Sequence, residues 1–286
     1  MYLPLVGLTL IVAWGVPELM NRWRAKRLIP ALALIVLGAE VPVARAQVNY
    51  WSDSVALWRR AASVTAENRR AYENLGQALR ERNELTEAYR SYEQALKFSK
   101  PEYKAPILNA MGIVAARQGR VLEAIGHFEA AVAIDSGFAE ARTNLGNALA
   151  SNGRPADAIR HFRAALGSDP GSAESQLGLA GALAALGRRE EARTHYQEAL
   201  RLNPGMAEAH AGFGTALAQS GDFDGAIRAL TEALRLNPNL VNANLNLGLI
   251  LAQTGDREGA IRYLEAALRL APSLTIARET LQALRK

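Results

Sequence analysis

Along residues 69–274, apolar and small side chains recur at two superposed spacings. They fall three and four residues apart, as on one face of an α-helix, and the whole pattern returns about every 34 residues. The stretch AEARTNLGNALASNGRPADAIRHFRAALGSDPGS, residues 139–172, displays both. Its two helical patterns are separated by Asn152-Gly153-Arg154-Pro155. A glycine there ends the first helix through a left-handed residue, and Pro155 suits the first turn of the second. Asp169-Pro170 stops that second helix, because a proline pushes the preceding residue out of the α region.

The repeat can be read by column. One column holds Gly76, Gly112, Gly146, Ala180, Gly214 and Gly248, at intervals of 34 residues except the first, which is 36. Twelve residues on comes Ala88, Ala124, Ala158, Ala192, Ala226 and Ala260; four further, Tyr92, Phe128, Phe162, Tyr196, Leu230 and Leu264. Three beyond those stand Ala95, Ala131, Ala165, Ala199, Ala233 and Ala267, and Pro170, Pro204, Pro238 and Pro272 close four of the units. Small residues let the two helices of a unit close together, where a larger side chain would cost roughly 1–3 kcal/mol. The aromatic column then fills the gap toward the next unit. A fixed period of this length predicts an all-α solenoid, each unit burying its apolar face against its neighbours.

These columns resemble the tetratricopeptide repeat (TPR) in six copies, 69–102, 105–138, 139–172, 173–206, 207–240 and 241–274. The resemblance implies a right-handed superhelix whose concave groove is lined by the first helix of each unit and receives protein or peptide segments. Residues 48–68 read as a linker and a capping half-repeat, with Trp58 in the aromatic column and Ala61 in an alanine column. Residues 275–286 read as a carboxyl-terminal capping helix with Leu281 in register. The joint between units one and two, residues 98–106, is two residues longer than the standard joint and predicts a local change of twist.

The first 47 residues break the pattern. Residues 2–20 form an apolar run interrupted by Pro17 and Glu18; a helix of that length reaches about 28 Å, near the thickness of a bilayer core. Residues 21–27 carry four positive charges, and residues 28–46 form a second apolar run. Two transmembrane helices with a cytoplasmic basic loop follow, placing the repeats outside the cytoplasm, periplasmic or lumenal. A rival reading takes Arg22 and its basic neighbours as the start of a signal peptide cleaved after Ala44-Arg45-Ala46. A third is a buried helical hairpin. Tyr2-Leu3-Pro4-Leu5-Val6-Gly7 and the pattern Arg45 … Tyr50-Trp51-Ser52-Asp53-Ser54 … Leu57-Trp58 resemble the junction in polytopic membrane proteins that join a protein-mannosyltransferase-like glycosyltransferase to TPRs. Such families carry acidic catalytic residues in an early loop that this sequence lacks, so that resemblance implies a non-catalytic carboxyl-terminal part.

Charge adds little. The net charge is +5, of which residues 1–47 supply +3, too weak and dispersed for a nucleic-acid footprint. The absence of cysteine removes disulfides and thiolate metal sites. There is no phosphate loop, no metal-spaced cluster and no nucleophile–base constellation, so no cofactor and no enzyme activity are expected. His127, His161 and His195 share a column, but a whole unit separates each from the next, too far for one ion to bridge; a solvated surface is expected. Glu140, Glu174 and Glu208 begin first helices, and Arg201, Arg235 and Arg269 end second helices, as the helix dipole favours.

For the groove, the candidate binding residues are Asn74, Gln77, Asn109, Arg142, Asn144, Asn147 and Asn246. Asn74, Asn144 and Asn246 stand two before the glycine column, and Gln77 and Asn147 one after it, forming a ladder of amides that can pair with an extended backbone. Gly178 and Gly212 break the ladder. Leu177, Gly181, Ala184, Ala211, Leu245 and Leu249 make the middle and late groove small or apolar, leaving charge to Arg70, Arg80, Arg117 and Arg142. The expectation is a membrane-anchored scaffold that binds polypeptide segments in a neutral groove. The alternatives are the acceptor-recognition arm of a membrane glycosyltransferase (protein O-mannosyltransferase-like) and a secreted soluble adaptor.

Overall fold

The structure is a computed structural model that describes residues 53–65 and 67–285. The expectations for residues 1–47 therefore lie outside the described residues. Within them the ordered elements are fourteen α-helices and one 3-10 turn, with no strand. They are α1 (Ser54–Val64), α2 (Arg69–Glu81), α3 (Leu85–Lys97), α4 (Lys104–Arg117), α5 (Val121–Ile134), α6 (Ala139–Ser151) and α7 (Pro155–Ser168). There follow α8 (Ala173–Ala185), α9 (Arg189–Leu202), α10 (Ala207–Gln219), α11 (Phe223–Leu236), α12 (Val241–Thr254), α13 (Arg257–Leu270) and α14 (Thr275–Arg285). Each helix packs on its neighbours in sequence, and from α4 onward each first helix also touches the next first helix. The result is the all-α solenoid that the columns predict. None of the described helices is long and apolar enough to cross a membrane.

The turns repeat as faithfully as the helices. Gly119, Gly153, Gly187, Gly221 and Gly255 all have φ between +74° and +91°, and Asn83 takes the same role in the first pair with φ +62°. The backbone N–H after each left-handed residue returns to a carbonyl five positions back, as Arg154 does to Leu149 at 2.9 Å, satisfying the end of the first helix. Between units, an Asx turn does the equivalent work. Asp135, Asp169, Asn203 and Asn237 each accept, through the side-chain oxygen, the backbone N–H two residues on, at 2.9–3.1 Å.

The core is a ribbon threaded by the aromatic column. Phe162 is fully buried with glycines on both sides: a Cβ at Gly146 would lie 2.7 Å from its ring, and one at Gly178 only 2.3 Å. Tyr196 has Ala180 at the glycine-column position of its own unit, and a Cβ at Gly212 of the next would meet its ring at 2.4 Å. Phe128 has Asn144 in the next unit and presses instead on its own Gly112, at 2.5 Å. Each ring thus has at least one neighbour without a side chain, and the glycines that interrupt the amide ladder at 178 and 212 have a packing cause. Leu230 and Leu264 are shorter and, of the glycines, meet only Gly214 and Gly248 of their own units.

Both ends are finished differently. α1 packs against α2 and buries Val55, its start capped by Asp53, whose carboxylate accepts the Val55 N–H at 2.9 Å. At the other end α14 buries Ala277 and Leu281 against Leu264. The longer first joint holds the 3-10 turn Pro101–Tyr103, and there Arg69 lies 4.4 Å from the centroid of the Tyr103 ring while Tyr72 and Phe98 stack at 5.9 Å. Across this joint α2 and α4 pack less closely than the later first helices.

Two glycines three positions apart on α8 separate steric need from mere tolerance. Gly178→Ala drives a Cβ into Phe162 and should destabilise by roughly 1–3 kcal/mol. Gly181 has nothing within 4 Å of a built Cβ, so Gly181→Ala should stabilise by roughly 0.5–1 kcal/mol through helix propensity. Urea midpoints of the two variants test this opposition of sign.

Candidate functional site

The first helices α2, α4, α6, α8, α10 and α12 line one face, and two hollows lie on it. A hollow of about 340 Å³ lies between α2 and α4, at the loosely packed joint, lined by Asn74, Gln77, Asn109, Arg80, Glu73 and Glu140 among others. A second, of about 420 Å³, runs across α10 and α12 with Tyr196 of α9 beneath it; Ala211, Gly212, Thr215 and Asn246 line it, and its charged members are Arg189 and Glu208.

Of the seven candidates, Asn74, Gln77 and Asn109 are thus gathered at the amino-terminal hollow and Asn246 at the other. Several of the candidate amides are already hydrogen-bonded to other side chains. Asn144 donates through Nδ2 to Asn109 Oδ1 at 3.0 Å, and Asn109, 4% exposed, donates in turn to Glu140 at 3.0 Å. Glu140, placed by the sequence at a helix start, therefore also ties two units together. Asn246 donates to Thr215 Oγ1 at 2.9 Å, and Gln77 to Glu81 at 3.1 Å. Asn147 is exposed and lines neither hollow.

Arg142 is placed differently from the expectation. Its Nε donates to the Ser136 carbonyl at 2.7 Å, pinning the joint that precedes its own helix. The same column repeats this in other chemistry: His210 Nε2 lies 3.0 Å from the Pro204 carbonyl, Asn244 donates to that of Pro238 at 3.0 Å, and Arg278 to that of Pro272 at 2.6 Å. Sequence columns miss it because Arg, His and Asn share only a donor at the right reach. Arg117 is likewise turned onto the Arg80 carbonyl, at 3.5 Å. With Glu73 and Glu140 beside Arg80, the amino-terminal hollow carries both signs, where the sequence left its charge to arginines alone.

The three histidines also depart from expectation: they are partly buried between helices, not solvated. His127 Nε2 lies 2.8 Å from the Tyr89 hydroxyl, which donates at 2.6 Å to Glu123, while Arg120 covers the Tyr89 ring at 4.5 Å. Burial, then Glu123, pushes the Tyr89 phenol up to about 12. His195 Nδ1 meets Gln176 at 2.7 Å, and His161 Nδ1 is buried without a partner. Desolvation, the largest cause in each, holds all three imidazoles below the usual histidine range. Among the described residues no three His, Asp or Glu side chains converge to hold a metal ion.

A helical solenoid with an open face lined by small and amide side chains belongs to the class of repeat scaffolds, which present surfaces to other molecules. The tetratricopeptide repeat family model matches residues 41–103, 143–207 and 212–275, and the chain belongs to this family. No curated protein matches it. Among solved structures, the Cut9–Hcn1 hetero-tetramer of the APC/C aligns with a TM-score of 0.72 at 19% identity, over 80% of this chain; this chain spans only 45% of that one. Pseudomonas aeruginosa pilF aligns at 0.66 and 20% identity, covering 75% of this chain and 96% of that one. YrrB, described as a TPR protein with an unusual peptide-binding site, aligns at 0.52 and 23% identity over 65% of this chain and 95% of that one. At such identities the likeness is one of fold.

Because the native pKa of each of the three histidines lies below its unfolded value, their neutral forms support the fold above about pH 6.5. That support is lost as pH falls through the native values. Thermal melts should show stability dropping between about pH 7 and pH 5, before ordinary carboxylates titrate, with a shallower drop in His161→Leu. An unchanged slope in that variant would contradict the assignment.

Proposed function

We propose that the chain is a scaffold that holds an extended or helical segment of another polypeptide in its first-helix groove. The observation that carries this is the hollow of about 420 Å³ across α10 and α12, where side chains are small and Asn246, held by Thr215 through one amide hydrogen, has its carbonyl oxygen and second amide hydrogen at the wall. An amide presents donor and acceptor together and so grips a peptide backbone without demanding a sequence. Gly212 brings the Tyr196 ring near the surface there and adds an aromatic floor. The description of YrrB as a peptide-binding TPR protein is in keeping with this reading. In it the chain has no catalytic residue and needs no cofactor, and its partners are proteins, not nucleic acid.

The same reading anchors the chain in a membrane through residues 2–46 and sets the repeats on the extracytoplasmic side, periplasmic or lumenal. It rests on two apolar runs flanking the basic residues 21–27. A second reading keeps the groove but fills it with acceptor proteins of a membrane glycosyltransferase. The Tyr50-Trp51-Ser52-Asp53-Ser54 stretch favours it. A secreted adaptor would instead lose residues 1–46, which the mass of the mature amino-terminus detects.

Photo-crosslinking of the full chain in native membranes tests the proposal. A crosslinker at Gly181 or Gln219 in the groove should capture polypeptides, whereas one at Arg228 on the opposite face should not capture the same species. Asn144→Ala with Asn246→Ala should weaken the captured partner about tenfold. Capture of nucleic acid alone, or of the same proteins from both faces, would defeat it. Co-purification of a multi-span enzyme with glycosylated captured proteins would select the second reading.

A further inference from the structure

On the side away from the groove, between α11 and α13, lies a hollow of about 470 Å³. Three guanidinium groups line it, those of Arg235, Arg262 and Arg269, together with Tyr263, Leu234 and Leu270, and no carboxylate does. The repeat shows why this place is unusual. In the fourth and fifth units the arginine that ends the second helix is held by the glutamate three residues before it, Arg201 by Glu198 and Arg235 by Glu232, each at 2.7 Å. In the sixth unit that glutamate is replaced by Ala266, and the adjacent Glu265 is turned to Arg285 at 2.5 Å. Among the described residues Arg269 therefore has no carboxylate within 4.0 Å, and neither has Arg262, whose guanidinium lies 4.8 Å from the centroid of the Tyr263 ring. Beside them Leu270 is 40% exposed.

We propose that this hollow docks an acidic segment of a partner polypeptide, independently of the groove. Arg262 and Arg269 receive neighbouring carboxylates, and apolar side chains of the segment lie on Leu234 and Leu270. Guanidinium forks match carboxylates in bidentate geometry, and two without counter-charges attract an anionic segment over the range that salt permits. The volume and the apolar half of the lining favour a peptide over a small oxyanion, which would fill little of the space and bury no leucine. Two free cations are also far short of the array that neutralises a nucleic-acid backbone.

The full chain is titrated, by fluorescence anisotropy, into a short labelled peptide of alternating Glu and Leu and into its counterpart with Gln for Glu. The Glu peptide should bind and the Gln peptide should not. Arg262→Gln with Arg269→Gln should weaken binding at least about tenfold, raised salt should weaken it further, and Arg201→Gln, whose guanidinium is already paired, should leave it unchanged. All three arginines are exposed, and circular dichroism checks that the variants stay folded. Retention of binding in Asn144→Ala with Asn246→Ala separates this surface from the groove. Equal affinity of the unaltered chain and the Arg262, Arg269 double variant would overturn the proposal. So would binding of the Gln peptide, or binding through these arginines of inorganic phosphate or phosphatidylserine vesicles but not the Glu peptide.

Discussion

A six-membered ring cannot occupy the seam between three helices unless one of its neighbours gives up a side chain. Phe162 sits where the built Cβ atoms of Gly146 and Gly178 would both overlap it, and this insertion couples one unit to the next. The alanine columns bring the helices close enough for the ring to fill the gap, and the left-handed glycines return the chain so that the ring arrives in register. Removing the ring's space strains two units at once, because the core is shared between neighbours and has no centre.

The same constraint reaches into the groove. The position two before the glycine column carries an amide in Asn144 and Asn246 and nothing in Gly178 and Gly212. Tyr196 has Ala180 in its own unit and Gly212 in the next, whereas Phe128 has Gly112 in its own and Asn144 in the next. Packing thereby keeps positions 178 and 212 free of a polar side chain. The groove divides into a polar amino-terminal part around Asn74 and Asn109 and a smooth carboxyl-terminal part around Gly212 and Ala211.

The helices and the left-handed turns within units were legible in the sequence because each is enforced within one period, whereas Gly178 and Gly212 read only as gaps in the amide ladder and not as room for a ring. What was hidden depends on reach and direction. Asn109 stands outside the amide column, yet it bridges Asn144 and Glu140; Thr143 likewise meets Ser175 at 2.6 Å. These bonds join different residue types across a joint, so no column repeats them. Arg142 looked available for a ligand because its charge is visible in the sequence, whereas its bond to the Ser136 carbonyl is not. The histidines looked solvated since a helical wheel counts one neighbour and the solenoid supplies two. The loss of Glu at position 266 could have been read from the columns, but its effect on Arg269 emerges only once Glu265 is seen turned to Arg285.

Across the first joint α2 and α4 touch less than the later first helices do, while α3 and α4 pack as closely as other neighbouring units. In a linear array cooperativity is transmitted only through successive interfaces, so the poorest one decides where the array parts into separately melting blocks. At the first joint that transmission runs chiefly through α3 and α4, with little of the second bridge that successive first helices add further along.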